Sequence, residues 1–300
     1  MYRIDLAYVG RGLHEELAAY IADQQDYYAD EGVHVALRDG CIWDIERLRR
    51  CATIGLGRAL LSRLTDGIPW VALNVNTHHP LFWFLARPGL TSLSDLAGQR
   101  LAVHAPHTPP GCFARIVLRK AGLDPDRDVD TVVRAPGDYG MDLRRLREGK
   151  IDAAYVGSTM APEAVAAEQG WQVPAWVGDH FRIPTVGVAV DPTYIDPDDP
   201  AVQAVVRAHR RALQVIHNDP DTTVRHMRTF LGGQTEDEVR AHYETFIAPY
   251  FITDGQADLA VGDSAIIEVA AELDVPATVT AAEFYRTAAA WNGPGIGRRR

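Results

Sequence analysis

The chain has 300 residues, 47 % of them apolar and 23 % charged, a composition that builds one large or two ordinary globular domains and excludes a disordered tail. A formal net charge of −10 excludes a whole-surface basic field for nucleic acid. No apolar run reaches the ~18–20 residues of a membrane span, so membrane insertion is excluded as well.

Tyr2 to Val9 reads as a strand, Gly10-Arg11-Gly12 as a loop and Leu13 to Tyr28 as a helix. Val33 to Leu37 is the next strand, and a strand–helix–strand unit implies a parallel pair. Trp43 to Arg50 reads as helical, Ala52 to Gly57 as a short strand and turn, Arg58 to Leu64 as a helix, and Trp70 to Asn76 and Leu81 to Arg87 as strands. The alternation then restarts. A short helix covers 92–98, a strand runs from Arg100 to His104, and Pro106 to Gly111 is a rigid loop before a helix from Cys112 to Ala121. Strand Val129 to Arg134, helix Met141 to Glu148, strand Ile151 to Val156 ending at Gly157-Ser158, helix Glu163 to Gln169, and strands Val173 to Val177 and Thr185 to Val190 follow. From Pro200 the pattern is helical over 201–218, 220–230, 236–246, 262–273 and 281–291, with a basic tail at 293–300.

Two successive runs of alternating strand and helix, then a helical region, predict an α/β protein of two lobes. The chain should cross between them near residues 80–87 and 183–188. The first lobe is then 1–84 with 187–300, its C-terminal helices packed on it, and the second is 85–186. A ligand would sit between the lobes, at the carboxyl ends of the strands.

The stretch Ser92-Leu93-Ser94-Asp95-Leu96-Ala97-Gly98-Gln99-Arg100-Leu101-Ala102-Val103 resembles the one that opens the second lobe of the type II periplasmic-binding-like superfamily. Arg147-Glu148-Gly149-Lys150-Ile151-Asp152-Ala153-Ala154-Tyr155 is similar to its Gly, then Asp-Ala, strand entry, and Asn218-Asp219-Pro220 and Ala282-Glu283-Phe284-Tyr285 also fit. The branch is that of nitrate-, sulfonate- and taurine-binding proteins and the thiamine-pyrimidine synthases. The resemblance implies a two-lobed fold with two hinge crossings, a small-molecule ligand and an ABC-importer permease as partner. The first ten residues carry no leader pattern, so the chain as given reads as cytoplasmic, or as extracytoplasmic if an upstream signal has been removed. The pyrimidine synthases hold pyridoxal phosphate through a lysine. Lys120 and Lys150, the only two lysines, end a helix and sit in a surface turn. Neither is placed for a Schiff base, and no cofactor is expected.

The loop Thr108-Pro109-Pro110-Gly111 leads into a helix at Cys112, where free N–H groups and the positive dipole end make a seat for an anion. Thr108 and Gly111 would contribute, with Arg115 one turn in. Cys41, Cys51 and Cys112 have no framework spacing and read as free thiols. Cys112 at a helix start and Cys41 after a strand end are the candidate nucleophiles. His78 and His79 precede a crossing, and His104 and His107 come from the opposite lobe. His79 or His107 could serve as general base. These histidines lack metal-ligand spacing, so no metal is expected. Trp43 and Tyr155 at strand ends, and Ser158 after one, could contact a ring or a polar ligand. Arg11 and Arg182 could clamp an anion.

Two readings follow. The first is a binding protein that closes two lobes on an anionic or aromatic small molecule. The second is a cytosolic enzyme on the same fold, a lyase, decarboxylase or desulfinase, using Cys41 or Cys112 with His79 or His107. A sensor module ranks third.

Overall fold

In the computed structural model, which describes residues 1–134 and 139–287, the described strands form two five-stranded mixed sheets. The first contains β1 (Tyr2–Tyr8), β2 (Val33–Asp39), β3 (Ala52–Ile54) and β4 (Val71–Ala72). The second contains β5 (Phe82–Ala86), β6 (Arg100–Val103), β7 (Asp130–Val133), β8 (Ala153–Gly157) and β9 (Gln172–Trp176). The chain then returns to the first sheet as β10 (Val188–Val190). The orders are β2-β1-β3-β10-β4 and β7-β6-β8-β5-β9. β1 runs parallel to β2 and β3, and β6 parallel to β7 and β8. β10 and β5 run antiparallel to their neighbours, each being the strand that follows a crossing. β5 pairs in the second sheet along its whole length, so a division placed after residue 84 would cut it.

Helices cover the sheets where the sequence is amphipathic. Helix Pro200–Asn218 shows why: Asp199 caps it, accepting from Ala201 N at 2.7 Å, and Pro200 takes the first position, where no N–H is needed. Val202, Val205, His209, Leu213 and Ile216 recur every three or four residues and are buried. That stripe lies on helix Leu13–Gln24, β1 and β2 of the first lobe. The predicted helix Leu13–Tyr28 stops at Gln24 because Asp26 turns left-handed at φ 57°. The stretch Trp43 to Arg50 yields only one turn, Ile45–Leu48.

The C-terminal helices extend beyond the first lobe. Helix Leu259–Glu272 lies against helix Pro109–Lys120 of the second lobe, where Glu272 receives Arg115 and Arg119 Nε, the latter at 2.8 Å. His242, at the end of helix Glu236–His242, packs on Trp83 of β5. Gln234 exchanges two hydrogen bonds of 3.3 Å with the backbone of Ala161.

Most of the predicted strand Trp70–Asn76 is not sheet but hinge. Asn76 N donates to Val186 O at 2.7 Å and Thr185 N to Thr77 O at 2.8 Å, so the two crossings pair with each other. A third segment flanks them: Ile252 N donates to Asn76 O at 2.9 Å and Val75 N to Gly255 O at 3.0 Å. The tail 293–300 and the end of the predicted helix 281–291 lie outside the described residues.

Candidate functional site

The carboxyl ends of the parallel strands in the two sheets meet where the lobes touch, the place at which this kind of topology seats a ligand. On the first wall, β1 ends in Gly10–Gly12 and helix Leu13–Gln24, β2 in Gly40–Trp43, and β3 in Gly55 and helix Leu56–Asp66. On the second wall, β6 ends in His104–Thr108 and helix Pro109–Lys120, β7 in Arg134, and β8 in Ser158. The walls touch where Ser158 meets the first helix, with Leu13 N donating to Ser158 O at 3.0 Å. They also touch at Gly57, where a Cβ would stand 2.5 Å from Cβ of Pro109.

Three helices start here, and a helix start offers unpaired amides to an anion. Two of the three are closed by the protein itself. Pro109 and Pro110 have no N–H, and Gly111 N is turned to Thr108 Oγ1 at 3.4 Å, while that hydroxyl donates to Ala105 O at 2.6 Å. The expected anion seat at Thr108 and Gly111 is therefore spent on the helix's own cap. The start of helix Leu13–Gln24 is covered by Ser158. At helix Leu56–Asp66 the amides of Leu56, Gly57 and Arg58 have no protein acceptor among the described residues. The helix start with unspent amides is thus on the first wall, where Gly57 lies against Pro109 of the second.

The proposed nucleophiles are not activated. Cys112 is fully buried inside the second lobe, and burial pushes its thiol up to about 12. Cys41 is half-buried with Asp39 beside it, and burial and the carboxylate push its thiol up to about 12 as well. Neither is a thiolate near neutral pH; a helix start lowers a thiol pKa only where the sulfur is exposed, and Cys112 is buried. Arg11 is paired with Asp39 and lies 5.5 Å over the Tyr8 ring. Trp43 lies 3.7 Å under the Arg47 guanidinium, and its carbonyl accepts from Arg58 at 2.8 Å. His107 is exposed on the loop before Thr108.

His78, His79 and Arg182 belong to the hinge. His78 Nε2 accepts from Asp258 N at 2.9 Å. His79 Nδ1 lies 2.9 Å from Gly178 O, and its ring stacks on Trp176 at 5.5 Å. Burial holds both imidazoles below the usual histidine range. Arg182 is exposed beside them on the second crossing.

The middle of the second wall is aromatic. Tyr155 is fully buried and stacks on Phe82, with ring centres 5.2 Å apart at 11°. Its hydroxyl has no hydrogen-bond partner among the described residues. His104 sets its ring edge-on to Tyr155 at 5.9 Å, and Arg134 Nη2 lies 2.8 Å from His104 Nδ1. Burial and then Arg134 push the His104 pKa down to about 3, so this imidazole is neutral and accepts from the guanidinium. Asp142 holds Arg134 from the other side at 3.0 Å. Arg134 and His14 were not singled out by sequence. The available signal was Arg134 standing directly after the apolar strand Val132–Val133.

Among the described residues no group of three or more His, Cys, Asp or Glu side chains is placed to hold a metal. Lys120 pairs with Glu268 at 2.6 Å and Lys150 with Glu148 at 2.7 Å. No helix among the described residues is long and apolar enough to cross a membrane.

Two mixed sheets joined by a paired double crossing, their strand ends meeting between the lobes, define a two-lobed fold of the periplasmic-binding-protein kind. More narrowly, the chain belongs to the NMT1/THI5-like family, whose model matches residues 15–223. The alkanesulfonate-binding protein SsuA from Xanthomonas axonopodis pv. citri, bound to MOPS, is similar over 95 % of this chain and 98 % of its own, at 13 % identity and a TM-score of 0.73. The periplasmic aliphatic sulphonate binding protein SsuA from Escherichia coli is similar over 91 % and 92 %, at 14 % identity and 0.72. The desulfurization enzyme DSZB is similar over 91 % and 93 %, at 16 % identity and 0.62. No curated protein sequence matches the chain.

Proposed function

We propose that this chain is a binding protein that shuts two lobes over a small anionic or aromatic molecule and presents it to an importer permease outside the cytoplasm. The observation that carries the reading is a pair of features at the strand ends where the lobes meet: the start of helix Leu56–Asp66, whose first amides have no protein acceptor among the described residues, on the first lobe, and the Phe82–Tyr155 stack on the second. The amides suit a negatively charged head and the stacked rings suit a flat or apolar body. The sulfonate-binding proteins of the same fold support the chemical class and the setting. The enzyme reading is the less favoured, since burial at Cys112, and burial with Asp39 at Cys41, push both thiols up to about 12.

Calorimetric titration and thermal shift against MOPS, ethanesulfonate, nitrate and a neutral pyrimidine test this. One of these should bind with a dissociation constant near or below 100 µM and raise the melting temperature by mass action, by about 2.7 kcal/mol of stability at a hundredfold excess over the dissociation constant. Silence from all four at millimolar concentration would count against the reading.

A further inference from the structure

Helix Leu13–Gln24 begins without a cap of its own. Gly12 stands at the N-cap position and has no side chain to accept from the first-turn amides as Thr108 does at Pro109; Glu16 Oε1 reaches back only to Gly12 N, at 3.1 Å, which leaves the Leu13 and His14 amides to other partners. The cap comes from the opposite lobe. Leu13 N donates to Ser158 O at 3.0 Å, and His14 N donates to Ser158 Oγ at 3.1 Å. The same hydroxyl lies 2.7 Å from His14 Nδ1, and Glu15 Oε2 lies 2.9 Å from that nitrogen.

The contact is dry and tightly shaped. Ser158 is 1 % exposed and His14 3 %. Gly12 has φ 135°, a conformation glycine adopts readily, and a Cβ there would stand 2.9 Å from Ser158 Oγ. The His14 ring sets edge-on to Phe82 at 5.3 Å, tying the same turn to the aromatic wall. By contrast, the second point of contact between the walls, Gly57 on Pro109, is carbon against carbon.

We propose that Ser158 is the latch of lobe closure, a positioning residue that supplies the N-cap of the first helix in trans, so that the helix start is complete only when the lobes are shut. This rests on the reading of the protein as a closing binder. It gives Ser158, expected from sequence to touch the ligand, a different task. Opening the cleft uncaps Leu13 and His14 and leaves their amides to water. Closure and order in the first helical turn are therefore one equilibrium, and the latch biases it whatever the guest is.

Amide hydrogen exchange and small-angle X-ray scattering on the full chain test this without any ligand. Ser158→Ala removes the hydroxyl acceptor but keeps the carbonyl. Loss of a cap costs about 1 kcal/mol, so exchange at His14 should rise about fivefold, with a larger radius of gyration. Amides within helix Pro200–Asn218 report global folding and should not change. Gly12→Ala attacks the same contact from the first lobe and should give the same pair of changes. Unchanged His14 exchange in either variant overturns the proposal, as does faster exchange with no change in radius, which would make the contact local packing only. A chain that passes this test yet answers none of MOPS, ethanesulfonate, nitrate or pyrimidine keeps the latch and loses the binding reading.

Discussion

His209 lies on the apolar stripe of helix Pro200–Asn218, fully buried, with its Nε2 2.8 Å from Tyr28 Oη. Burial pushes its pKa down to about 4 from an ordinary 6.5, and His104 is pushed down to about 3. The unfolded chain therefore takes up a proton at each position that the folded chain refuses. Both pKa values are depressed, so this stability is full above pH 6.5 and drains as the pH falls towards 4 and 3. The loss from His209 is on the order of 3 kcal/mol. Urea midpoints should be level from pH 8 to 7 and fall steeply below 6, and His209→Gln should flatten part of that fall. A slope indifferent to the substitution would disprove the assignment. A histidine on an apolar stripe is legible in sequence as a buried one. The Cys112 environment was not, because helix position suggests a lowered pKa while only packing shows that no solvent reaches the sulfur.

Among elements, the paired crossings show how sequence and structure part company. Trp70–Asn76 has the apolar pattern of one strand, yet only Val71 and Ala72 join the sheet. The rest binds the second crossing and the segment from Phe251 to Gly255. Alternation reports that a segment is extended and covered, not which neighbour covers it. The second crossing is held tightly. Val186, a β-branched residue, stands at φ 51°, and Gly187 follows at φ 147°. A Cβ at Gly187 would lie 1.9 Å from Asn74 O, whereas one at Gly67, also left-handed at φ 67°, would meet nothing within 4 Å. Gly187→Ala should therefore cost at least about 3 kcal/mol and Gly67→Ala about 1 kcal/mol. Thermal unfolding of the two variants side by side checks the ranking, and equal losses would show that the crossing yields.

For the molecule as a whole, the alternation of strands and helices made the two-lobed class legible, because parallel strands need helical crossovers. The placing of the last helices was not legible, since an apolar stripe says that a face is covered without naming the cover. Glu272 is the clearest case: its carboxylate is 3 % exposed and holds Arg115 and Arg119 across the boundary between the C-terminal helices and the second lobe. Glu272→Ala leaves Arg115 with Asp126 alone and should lower stability by about 1–3 kcal/mol. Calorimetry would show a drop of several degrees, and a loss within error would mean that Asp126 suffices. The strand order carries one more implication. All five strands of the second sheet lie within a single stretch of chain, Phe82–Trp176, whereas the first sheet cannot join β4 to β3 until β10 has arrived to pair with both. During synthesis the first sheet is thus the later of the two to be finished. Its opening strands must wait, unpaired at one edge, through the synthesis of more than a hundred residues.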